Sequence, residues 1–160
     1  MKALRAAAGF VSAACLGLAA LLTAAIAGVV AWTVLARFVF GRTPSWTEEL
    51  PRILMVWGVF MGLVWTTGRG VNLEAGLLEL WARGPRLRAA CRALAEMLVA
   101  VFCIVLAMTA GEMAEITWTS TTPALEMTAA IFYLPVAIGG VLAALLQIPR
   151  MLDALAELRG

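Results

Sequence analysis

Between Arg5 and Arg37 the chain runs for 31 residues, Ala6 to Ala36, without one charged side chain. No other feature limits the possible folds as much. A helix rises about 1.5 Å per residue, so the run reaches roughly 46 Å, well beyond the ~30 Å hydrocarbon core of a bilayer. In water this surface would need cover on every side. In a membrane it needs only to tilt or to project from one face. A secretory signal peptide also opens with basic residues, and Ala25-Ile26-Ala27 has the form of a cleavage site. A signal's apolar region, however, spans only about 7–15 residues. The run is read as a membrane helix over about residues 6–36.

The rest of the chain agrees. Its residues are 63% hydrophobic and only 14% charged, against about 45–50% and about 25% in soluble domains. The uncharged window Ile53–Gly68 is too short to span a membrane alone. It becomes long enough if the helix starts earlier: Ser45-Trp46-Thr47-Glu48, just after Pro44, has the capping-box pattern. A helix over about 46–67 follows. Gly84-Pro85 breaks the chain before a third span, about 86–111. Glu96 lies within that span four residues after Arg92, so the two are expected to pair on one helical face. The fourth span covers about 127–148, with Pro135 inside it, as neighbouring helices permit. Between the second and third spans, Leu73, Leu77, Leu80 and Trp81 recur at helical spacing while Glu74, Glu79 and Arg83 fall off that stripe. This predicts a short interfacial helix over about 73–83. The fold class expected is an all-α integral membrane protein, one membrane domain over residues 1–160, with four transmembrane helices and that interfacial segment.

Lys and Arg mark the orientation. They occur at both termini and in the second connection, whereas Glu112–Glu126 holds three glutamates and no basic residue. Both termini are expected in the cytoplasm. The first connection opposes the rule, since it carries Arg37, Arg42 and Arg52 against Glu48 and Glu49. Lipid is as apolar as leucine, so helix association needs small residues and polar contacts. Three patterns offer them: Ala20/Ala24/Gly28, Gly58/Gly62 and Gly140/Ala144. Most of the tryptophans fall near span ends, as interfacial anchors do.

Much chemistry is excluded. The chain has no histidine, which removes bis-histidine haem and the usual general base at neutral pH. Cys15, Cys91 and Cys103 lack ligand spacing, so neither a metal nor another cofactor is expected. No basic stripe points to nucleic acid. Helices one, two and four carry no acidic residue near their centres, and no broken helix could cradle a substrate at mid-membrane. An autonomous four-helix carrier or channel is the alternative reading. The small multidrug exporters that share its helix count depend on a glutamate in their first helix, and Ala6–Ala36 has none. A non-catalytic subunit of a larger assembly fits better.

Several stretches carry a family resemblance. They are Arg37-Phe38-Val39-Phe40; Pro44-Ser45-Trp46-Thr47-Glu48-Glu49-Leu50 with Arg52; Met55-Val56-Trp57, Gly62 and Arg69; Thr122-Pro123-Ala124-Leu125-Glu126-Met127; and Tyr133-Leu134-Pro135-Val136-Ala137-Ile138-Gly139. In these the chain resembles the small membrane (Q) subunit of tripartite ATP-independent periplasmic (TRAP) transporters. Asn72 departs from the family, standing where a histidine is expected. The resemblance implies a large multi-span membrane (M) subunit holding the substrate and sodium sites, and a periplasmic protein that delivers an organic acid such as a dicarboxylate or a sialic acid. It places the complex in the bacterial inner membrane and gives this chain a scaffolding role. Interface or structural candidates are Arg37, Trp46, Glu48, Glu49, Arg52, Trp57, Gly58, Gly62, Arg69, Pro123 and Leu125. Glu48 and Glu49 suit the positive end of helix two and could each pair with Arg52.

Overall fold

A computed structural model describes residues 2–69 and 85–159. The expected interfacial helix and Asn72 lie outside the described residues. Among the described residues four long helices make up the architecture: α1 (Lys2–Phe40), α2 (Trp46–Arg69), α3 (Pro85–Ile116) and α4 (Leu134–Arg159), with a 3₁₀ turn, η1 (Ala129–Phe132), before the last. All four contain a stretch long and apolar enough to cross a membrane. α1, α3 and α4 extend past their uncharged windows because a charge at the water's edge does not end a helix. Met127–Tyr133 is taken up by the end of the preceding loop, η1 and one turn residue, so α4 begins at Leu134 and Pro135 lies in its first turn. Proline suits that place, where its missing N–H has no intrahelical partner to lose.

The helices form a row. α1 packs on α2, α2 on α4, and α4 on α3. The order in space is therefore α1–α2–α4–α3, a single layer with two broad faces. Large apolar side chains such as Leu21, Val59, Phe102 and Leu145 stay exposed, as a lipid solvent allows.

α1 shows how such a row is held. Only Ala8, Val11, Ser12, Cys15, Ala19, Leu22, Ile26, Val29, Thr33 and Ala36 are covered along Ala8–Phe40. The spacing alternates three and four, the 3.5-residue seam of a left-handed helix pair. Ala20, Ala24 and Gly28 lie exposed off that seam, and a Cβ added at Gly28 would meet nothing within 4 Å. That ladder makes no helix contact in the described chain. Cys15 packs instead with Met61, Val64 and Leu146 in the best-buried apolar cluster.

Consecutive glycines place α4. A Cβ at Gly139 would come within 2.9 Å of Phe60 on α2, and one at Gly140 within 3.0 Å of the Cys103 carbonyl and the Ala107 methyl on α3. Successive helical residues point about 100° apart, so this pair lets α4 approach both neighbours at one level. Gly58 meets only Leu22, at 3.7 Å, and Gly62 meets nothing within 4 Å.

Candidate functional site

Polar groups gather at the two ends of α2. At its N-terminal end the chain between α3 and α4 folds into a tight hairpin-like loop. Thr121 and Thr128 form an isolated antiparallel bridge. The Ala129 N–H donates to the Ser120 carbonyl at 2.8 Å, and the Thr122 N–H to the Met127 carbonyl at 2.8 Å. Glu126 takes the left-handed conformation (φ 53°) that closes the turn. The tip then faces two amide N–H groups, Ala124 and Leu125, that nothing within the loop satisfies.

Glu49 satisfies them. Its two carboxylate oxygens accept from Ala124 N–H at 3.0 Å and Leu125 N–H at 2.9 Å. The contact joins residues some 75 positions apart and fastens α2 to the loop. Trp57 adds a second tie two turns deeper, its indole N–H donating to the Ile131 carbonyl at 3.2 Å. Charge-assisted bonds of this forked kind fix geometry as well as energy.

The capping box does not close. The Thr47 hydroxyl donates to the Pro44 carbonyl at 2.7 Å, and among the described residues the Ser45 hydroxyl makes no hydrogen bond. No ion pair within 4 Å joins Arg52 to Glu48 or Glu49 among the described residues. Glu48 and Arg52 are exposed instead. The reason is local: Glu49's oxygens are committed to the loop, and an exposed Glu–Arg pair gains little in water.

At the C-terminal end of α2 lies a second node. Arg150 of α4 pairs with Glu96 of α3 at 3.0 Å and donates to the Thr67 carbonyl of α2 at 3.3 Å. Gln147, fully buried, donates its amide N–H to the Glu96 carboxylate. Ser12 of α1, also fully buried, donates to the Trp65 carbonyl at 3.3 Å. The expected Glu96–Arg92 pair is corrected here. Arg92 is exposed, while the fully buried Gln147 and the largely buried Arg150 face Glu96 from the next helix. A charge near hydrocarbon takes the partner that shields it best. Thr67 is among the last four carbonyls of α2, which lack intrahelical partners, so Arg150 also caps that helix from outside.

Neither node has the form of a reaction centre. Their charged groups are spent on one another and on backbone groups, although the buried Gln147 Oε1 has no hydrogen-bond partner, and what they accomplish is fastening. A comparison with protein families supplies a description that fits: Tripartite ATP-independent periplasmic transporters, DctQ component, matched over residues 26–157. The chain belongs to that family. It is a small membrane component of a TRAP transporter and a multi-pass membrane protein. No curated protein matches it.

In this DctQ component the motif candidates divide into two sets. Glu49, Leu125 and Trp57 meet in the clasp, and Pro123 stands exposed at its tip. Trp46 is half-buried at the start of α2, and Gly58 faces α1. Arg37, Glu48, Arg52 and Arg69 are exposed, and Gly62 faces open space. Sequence reasoning missed Thr67, Gln147, Arg150, Ser12 and the loop amides. Gln147 carried the one usable signal, an amide within an otherwise apolar span.

The clasp is open to direct tests. With Glu49→Ala, the Ala124 and Leu125 amides lose their acceptors, and their hydrogen exchange accelerates by about ten-fold or more while mid-helix amides keep their protection. With Trp57→Phe, the bond to Ile131 is removed at a cost of about 1 kcal/mol, read as a lower unfolding midpoint in detergent.

Proposed function

We propose that this DctQ component is the non-catalytic scaffold of its transporter. It braces the large membrane subunit in the bacterial inner membrane while that subunit carries an organic acid, delivered by a periplasmic binding protein and driven by an ion gradient. Both termini lie in the cytoplasm, so the Glu49 clasp faces the periplasm and the Glu96–Arg150 node the cytoplasmic side. One observation carries the reading: the buried charges, Glu96 and Arg150, are spent on tying α2, α3 and α4 together. A carrier keeps such groups free for substrate or ion. A single row of helices also encloses little, but it gives a partner a broad apolar face. Exposed Glu48 and Arg52 are the candidates for polar contacts with that partner.

Purification of tagged full-length chain from its native membrane tests this. A larger multi-span membrane protein is expected to come with it, and Glu48→Gln/Glu49→Gln is expected to reduce its yield. Recovery of the chain alone, together with transport by that chain in liposomes, would sink the proposal.

A further inference from the structure

At the end of α1 the chain turns sharply through Gly41, whose φ of 67° lies in the left-handed region. It then runs through Arg42, Thr43 and Pro44 into α2. Helix and turn together bound a pocket of about 450 Å³. Trp32, Ala36 and Phe40 form one wall, and Arg42, Thr43 and Pro44 the other. The three helical residues recur every four positions, so they stand in one ridge. From Trp32 to Phe40 that ridge rises about 12 Å, most of the ~15 Å depth of one leaflet's hydrocarbon. The pocket is graded: apolar along the membrane span, cationic and hydroxylated where the span ends.

The cations there lack another explanation. Arg42 in the pocket and Arg37 just outside its lining are exposed, and among the described residues neither has a carboxylate within 4 Å. With the termini in the cytoplasm both lie on the outer side, where the positive-inside rule disfavours arginine. The guanidinium fork matches phosphate geometry.

We propose that this pocket holds an anionic phospholipid. One acyl chain lies along Trp32, Ala36 and Phe40; the phosphate sits at Arg42 with the Thr43 hydroxyl donating to it. The pocket is separate from both nodes, and only its place on the outer side rests on the orientation proposed above.

Native mass spectrometry of the full-length chain, delipidated and then titrated with phosphatidylglycerol or phosphatidylcholine, tests it. Phosphatidylglycerol should be retained preferentially. Arg42→Gln should weaken its retention about five-fold, the factor one arginine contributes near an anionic headgroup. Trp32→Ala should weaken retention of both lipids, and Arg92→Gln, at the other end of the row, should change neither. Equal retention of the two lipids by the unaltered chain would overturn the proposal. So would undiminished phosphatidylglycerol binding by Arg42→Gln, displacement of the lipid by millimolar inorganic phosphate, or a dimer forming in place of lipid adducts.

Discussion

Replacing Arg150 by alanine lowers the stability of the helix row by about 3–5 kcal/mol, the usual cost of leaving a buried charge without its partner. The expectation rests on two interactions that vanish together. Glu96 is deprived of its counter-charge at 3.0 Å, and the one bond that both caps α2 at Thr67 and ties it to α4 is lost. Gln147 remains beside the carboxylate but is neutral. Replacing both members by leucine behaves differently. A buried pair exchanged for apolar side chains of similar volume is often neutral or stabilising, so Glu96→Leu/Arg150→Leu should recover most of the stability. Unfolding in detergent measures both. If the single and double variants were equally destabilised, Arg150 would matter for its packing and not for its charge.

Gly140→Leu is the second large effect. Its Cβ would stand 3.0 Å from both the Cys103 carbonyl and the Ala107 methyl, and backbone cannot yield as a side-chain tip can. Overpacking of this kind costs about 1–3 kcal/mol, and a leucine here belongs at the upper end. α3 should separate from α4, which a disulfide cross-link between cysteines placed on the two helices would report as a lower yield. Gly62→Leu is the control: no atom lies within 4 Å of its added Cβ, so its effect should stay within about 0.5 kcal/mol.

These two glycines show what was legible in the sequence and what was not. Both stand in small-residue patterns of the same form, yet only Gly140 touches another helix in the described chain. The four spans were legible because length and lack of charge suffice to identify a membrane helix. The order of the row was not, because with lipid as solvent the covered and uncovered sides of a helix share one composition. α1 makes the point: its 3.5-residue seam is present in the sequence but hidden among equally apolar neighbours, and Ala20/Ala24/Gly28 drew the eye to the wrong side.

The clasp was half legible. Position and charge singled out Glu49, but its partners are backbone amides, which leave no mark in a sequence. The Glu96 node failed for a related reason. Reasoning by helical spacing finds partners four residues away, and Arg92 stood at that distance; the partner chosen was Arg150, on another helix, where the carboxylate could be shielded from hydrocarbon.

A stationary scaffold makes a measurable claim, and pulsed spin-label distances within the assembled transporter test it most directly. Labels are placed at the exposed positions Phe38 on α1 and Phe102 on α3, at opposite edges of the row. Adding the proposed organic acid and coupling ion should leave that distance within about 1 Å, as in pre-organised assemblies. A change of about 5 Å, one helical turn of sliding, would show that the row moves with the transport cycle and would contradict the account.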